Sequence, residues 1–183
     1  QRTLIDNILH TDNAYFKEVY LEKLLSGEYA GATALSNAVK YLSDLEELNV
    51  RILEENGNYY LKGRLPWVTN ARKDRFLTIF VAGFADDPSK SYVVAVPSDA
   101  ENFSRSEDLE FVSLQGGNTA ALTFNRVPLK EEWILSKNAK EFLTQNRPAF
   151  LGYQFGLAFG LAERSLSEVE KELGKRGVLK EEW

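Results

Sequence analysis

The chain of 183 residues has a net charge of −5, 27% charged residues, one histidine and no cysteine. That length and balance describe a soluble globular protein with a core of its own and exclude a disordered one. Acids and bases are interspersed without a basic block, which argues against nucleic acid as a partner. The missing thiols and the lone His10 exclude a disulfide framework, a thiolate nucleophile and a multi-histidine metal site, so no metal is expected.

No methionine occurs and Gln1 comes first. We therefore expect an incomplete sequence: a fragment, or one from which residues such as methionine are missing. No charged segment followed by an apolar run and a small-residue cleavage site opens the chain. The longest apolar run, Ala149 to Ala162, falls short of the ~20 residues a membrane span requires and is closed off by Arg147 and Glu163. We read it as a buried helix, expect no membrane span, and take the cytoplasm as the compartment.

In chain order, Ile5, Ile8, Leu9, Tyr15, Phe16, Val19, Tyr20 and Leu24 recur at spacings of three and four, which predicts amphipathic helix over residues 4–25. Thr11-Asp12-Asn13 interrupts it with capping residues and Ser26-Gly27 ends it. A small-residue segment, Gly31-Ala32-Thr33-Ala34-Leu35-Ser36-Asn37, follows. Residues 48–52 and 59–61 read as two strands around the hairpin signal Asn56-Gly57-Asn58.

Gly63 and Pro66 then reset the backbone before Trp67-Val68-Thr69. In a strand Trp67 and Thr69 share one face, so a flat ring and a hydroxyl meet one planar ligand; an ordinary half-buried strand also explains them. Residues 76–84 and 91–96 are strands joined by the turn Asp86-Asp87-Pro88-Ser89-Lys90 and pair antiparallel. Residues 109–114 and 119–124 form a further hairpin across Gly116-Gly117.

After Leu135 a polar linker, residues 136–140, leads to a helix opened by Arg147-Pro148. Gly152, Gly156 and Gly160 lie on one face of that helix, where a second helix can come close. Gly174-Lys175-Arg176-Gly177 breaks it. The fold class is α+β: a helical segment over 1–28, an antiparallel β-barrel-like middle domain over 29–135, and the start of a helical domain over 136–183.

The run Gly57-x-Tyr59-x-Leu61-x-Gly63-x-x-x-Trp67-Val68-Thr69-Asn70-Ala71 resembles the middle-domain signature of the acyl-CoA dehydrogenase family, with Leu65 where the family has Lys. The resemblance implies FAD as cofactor, with Trp67 and Thr69 against its isoalloxazine ring and Val68 between them. It also aligns Ser36, after Leu35, with a family Thr that hydrogen-bonds the polar edge of the flavin; Ser offers the same donor and lone pairs. Asn37 and Ala38 replace the family's Glu and Pro.

Leu42-Ser43-Asp44 takes the place of Gly-Ser-Asp. Ser43 would then approach the FAD diphosphate or the acyl-CoA substrate, and a helix cap explains Ser43 or Asp44 equally well. Residues 117–127 resemble the family's exit from the β-domain, while its Arg-x-x-Phe-Gly motif has no counterpart. The implied activity is α,β-dehydrogenation of an acyl-CoA thioester with hydride transfer to flavin N5, an electron-accepting flavoprotein as partner, and a homodimer or homotetramer. No catalytic base is assigned. The alternatives are a non-catalytic member of the same fold that serves binding or assembly, and a flavin monooxygenase variant of it.

Overall fold

The computed structural model describes residues 1–176 and divides into two units, Gln1–Asn146 and Arg147–Trp183. In the first, three short helices, α1 (Arg2–His10), α2 (Ala14–Val19) and α3 (Leu21–Leu25), precede β1 (Ala30–Thr33) and α4 (Ser36–Tyr41). The interruption at Thr11-Asp12-Asn13 is a helix start: the Asn13 side chain accepts from the Tyr15 N–H at 3.1 Å. The same loop is sewn to the far end of the unit. Thr11 Oγ1 donates to the Leu135 carbonyl at 2.6 Å, and Asn13 Nδ2 donates to those of Ile134 and Glu132 at 2.9 and 3.0 Å.

Seven further strands follow: β2 (Val50–Glu55), β3 (Asn58–Val68), β4 (Phe76–Phe84), β5 (Ser91–Pro97), β6 (Phe103–Asp108), β7 (Ala120–Pro128) and β8 (Ile134–Ser136). They form one sheet in the order β6-β7-β3-β2-β4-β5-β8, and β1 adds to β4 in parallel. The ladder from β4 to β5 is antiparallel, as its two apolar runs predict. Every residue of β4 and β5 is buried, because helices cover one face and the sheet curls over the other.

The curl is visible in the aromatic side chains. Phe80 of β4 meets Phe124 of β7 at 4.8 Å between ring centroids, and Phe124 meets Phe103 of β6 at 4.9 Å, although β4 and β7 are not neighbours. A core of Val50, Ile52, Leu61, Val68, Leu122 and these rings fills the concave side. A second core, Leu4, Ile8, Phe16 and Leu24 against Leu77 and Ile79, binds the helices to the other face. The sheet is barrel-like in this curl only, since its path ends at β6 and β8 and does not close.

Several local expectations need correction. The strand before Trp67 is not short: β3 runs unbroken through Gly63 and Pro66, and register shifts against β7 at Leu61/Lys62 and Leu65/Val68 absorb the irregularity. The hairpin partner of β7 is β6, residues 103–108, whereas residues 109–119 form a loop closed by the Leu109 N–H on the Thr119 carbonyl, 2.8 Å. Asp108 and its neighbours are polar because β6 is an edge, so the apolar Phe111-Val112 pair drew the strand assignment too far along the chain.

The last helix, α5 (Ala139–Arg176), starts well before Pro148, which lies inside it. Asn138 starts it: its side chain accepts from the Glu141 N–H at 3.2 Å and donates to the Glu141 carboxylate at 2.9 Å. The helix also continues through Gly174 to Arg176, and Gly177 lies outside the described residues. Within the second unit the apolar run is not buried: Phe155, Leu157, Phe159 and Leu161 are exposed, and a Cβ at Gly152, Gly156 or Gly160 would meet nothing within 4 Å. No described helix is long and apolar enough to cross a membrane.

Candidate functional site

The end of β3 carries the site. Alternation turns Val68 wholly into the core and Trp67 and Thr69 outward, and Trp67 is left 64% exposed at the surface of a well-packed sheet. Asn70 follows with φ +62° and stops the strand, while the Thr69 carbonyl accepts from the Thr33 N–H at 3.3 Å. The segment after β1 and the segment after β3 are thereby held side by side.

Two hollows meet at the Trp67 ring. One, about 650 Å³, is apolar and lies between Trp67 and Thr69 on one side and the 109–119 loop on the other, with Phe111, Val112, Leu114 and Gly117 in its wall. The Phe111 ring leans on Trp67 at 6.0 Å between centroids and 45°. The other, about 450 Å³, is mixed in character, with Ser36, Asn37, Lys40 and Glu46 beside Leu65, Pro66 and Trp67. Lys40 Nζ pairs with Glu46 Oε1 at 2.6 Å, and that ammonium holds the Glu46 carboxyl below its usual range.

Among the cofactor residues implied by resemblance, Trp67, Thr69 and Ser36 line these hollows. Ser36, the first residue of α4, is exposed. The side chains of Leu35 and Val68 face the two cores, so either residue meets a ligand in the hollows only through its backbone. Ser43 lines neither hollow. Its hydroxyl donates back to the Val39 carbonyl at 3.1 Å, and no helix starts at Leu45, so neither Ser43 nor Asp44 is an N-cap.

Two of the replaced residues, Asn37 and Leu65, serve the framework. Asn37 is buried: its Oδ1 accepts from the Asn49 N–H at 2.9 Å and its Nδ2 donates to the Glu47 carbonyl at 2.9 Å, so the amide closes the loop between α4 and β2. A carboxylate there would lose the donor. Leu65 is 3% exposed in the concave core, where a lysine would bury an ammonium. Phe111 and Lys40 were missed from sequence, Phe111 because it lay in an apparent strand and Lys40 because no spacing distinguishes one helical lysine from another.

These residues fit a flat, mostly apolar ring with a polar edge. An exposed indole with an apolar hollow beside it offers a stacking surface, and the Thr69 and Ser36 hydroxyls offer donors near its rim. A metal finds less here, because no group of three or more His, Asp or Glu able to hold one occurs among the described residues.

No family model matches the chain. It is 31% identical over 139 residues to mitochondrial isovaleryl-CoA dehydrogenase of Pongo abelii, a match that covers 74% of this chain and 33% of that protein. It is 28% identical over 165 residues to the acyl-CoA dehydrogenase of Bacillus subtilis (strain 168), covering 87% and 42%. The fold is similar to a glutaryl-CoA dehydrogenase from Mycobacterium smegmatis solved in complex with FADH2, with a TM-score of 0.62, 20% identity, and 79% of this chain and 38% of that one covered. The chain thus spans between a third and about two fifths of these curated relatives.

Proposed function

We propose, for a chain that belongs to the acyl-CoA dehydrogenase family, that its β-domain is the FAD-holding part of an oxidoreductase acting on acyl-CoA thioesters. The observation that carries the reading is Trp67, a large apolar ring left exposed beside Thr69 while its neighbour Val68 is fully buried. FAD supplies a hydride acceptor at N5 when bound. Trp67 covers one face of the ring and keeps water from it. The Thr69 and Ser36 hydroxyls, with the backbone N–H groups of Val68 and Leu35, donate to its polar edge, where hydride transfer places negative charge.

Ser43 takes the substrate side in this reading, which requires its hydroxyl to leave the Val39 carbonyl. No described Asp or Glu is assigned as the base that removes the α-proton. The same reading includes the three-part division at residues 28/29 and 135/136, an electron-accepting flavoprotein partner, a homodimer or homotetramer, and a cytoplasmic location, although the Pongo relative is mitochondrial by name. A second reading, a non-catalytic member of the family, draws on the changes at Asn37, Ala38, Leu42 and Leu65, of which Asn37 closes a loop by hydrogen bonds and Leu65 packs in the core.

Titration of the purified protein with FAD tests the proposal. Binding perturbs the flavin absorption bands, quenches Trp67 fluorescence and raises Tm in proportion to the logarithm of free FAD. Unchanged bands and an unchanged Tm at saturating FAD would leave the non-catalytic reading standing.

A further inference from the structure

Three segments from distant parts of the chain line the hollows or lead into them: β1, which runs on to Ala34 and Ser36; the end of β3, which carries Trp67 and Thr69; and the loop that carries Phe111. They meet at one residue. Asn70 Nδ2 donates to the Gly31 carbonyl of β1 at 3.1 Å and to Gln1 Oε1 at 3.1 Å. Its backbone N–H donates to the Gly117 carbonyl of the loop at 2.8 Å, and the next N–H, of Ala71, donates to Asn118 at 3.0 Å. All of this depends on the left-handed backbone at Asn70, φ +62°, which asparagine tolerates better than other non-glycine residues.

We propose that Asn70 is the positioning residue of the site: its left-handed turn and amide clamp lock β1, the Trp67–Thr69 ledge and the 109–119 loop into the one register in which a ring ligand meets all three. The inference rests on the flavin reading above. Asn70 lines neither hollow and acts through the segments it joins. The clamp requires both halves of the residue. The backbone conformation aims the Asn70 and Ala71 N–H groups at the loop, and the amide ties the same turn to β1. Without the amide the turn remains, but at the Ser36 end of β1 the spacing to Thr69 is held by the Thr33 N–H bond to the Thr69 carbonyl, at 3.3 Å, while Arg72 and the Ala30 N–H tie only the far end of β1 and the residues before it.

The test compares wild type, Asn70→Gly and Asn70→Asp. Glycine keeps the left-handed backbone and removes the clamp. Aspartate keeps the shape and sets a carboxylate against the Gly31 and Gln1 oxygens, so its effect is the larger. Without flavin, we expect amide hydrogen exchange of Thr33 and Ala71 to accelerate in Asn70→Gly while the β4–β5 ladder keeps its protection. With FAD, we expect about a tenfold weaker Kd and shifted flavin absorption bands at saturation.

Wild-type exchange rates and wild-type bands in Asn70→Gly overturn the assignment even where affinity falls. Loss of protection throughout the sheet overturns it too, because the residue is then one of general stability. If Asn70→Asp does not fold, Asn70→Gly decides alone. Wild-type protein that binds no FAD overturns the flavin reading and the assignment with it, and that outcome is seen before any variant is compared.

Discussion

Trp67 shows how a single residue divides between fold and function. Its neighbours Leu65 and Val68 are buried, so removing the exposed indole takes little from the sheet, yet the ring separates the two hollows. Trp67→Ala is therefore expected to weaken FAD binding at least tenfold while it changes stability by less than about 1 kcal/mol; flavin titration and thermal unfolding of the apoprotein measure the two effects. The Trp and Thr were legible in sequence because strand alternation alone places them together. The work of Asn37 was not, because its two backbone partners lie ten and twelve residues along the chain and no pattern marks them.

At the same scale, burial, and then Tyr15, push the Tyr20 phenol well above its ordinary value. The folded state then keeps the Tyr20 proton at a pH where the unfolded chain has lost it. That contribution to stability is complete below about pH 10 and declines above it. Tyr20→Phe should flatten the alkaline limb of a pH–stability curve obtained by urea denaturation, and an unchanged limb would assign the decline to other groups.

Among the elements, β3 is the one on which the site depends, and Gly63 is its weak point. Its φ is +148°, and a Cβ there would lie 2.1 Å from the Asn49 carbonyl oxygen. Gly63→Ala should cost at least about 3 kcal/mol, measured as a lowered urea midpoint, because backbone strain and a collision with main chain add. The glycine was visible in sequence as a break. In the fold it lets β3 and the loop before β2 come together without interrupting the strand. The misplacements have physical causes of the same kind. An edge strand such as β6 needs no apolar alternation, and the Asn138–Glu141 capping pair sets the start of α5 despite the proline further in.

For the whole molecule, the α+β class and the antiparallel pairing of β4 with β5 were legible, because two runs rich in apolar, β-branched and aromatic residues flank one polar turn. The covering of α5 was not, since helical periodicity shows that a face is apolar without showing what meets it. Phe155, Leu157, Phe159 and Leu161 are 58 to 72% exposed. We predict concentration-dependent association of the chain in sedimentation velocity, reduced by Phe159→Glu; a single monomeric species at all concentrations would contradict it. The seal between the Thr11–Asn13 loop and residues 132–135 bears on a different process, the order in which the protein is made. Thr11 and Leu135 are 124 residues apart, so at 5–20 residues per second the ribosome needs roughly 6 to 25 s to deliver the partner after the first helices emerge. Leu4, Ile8 and Phe16 gain a sheet to cover earlier, when β4 brings Leu77 and Ile79, so the helices dock first and the Thr11–Asn13 loop stays unsealed until β8 arrives.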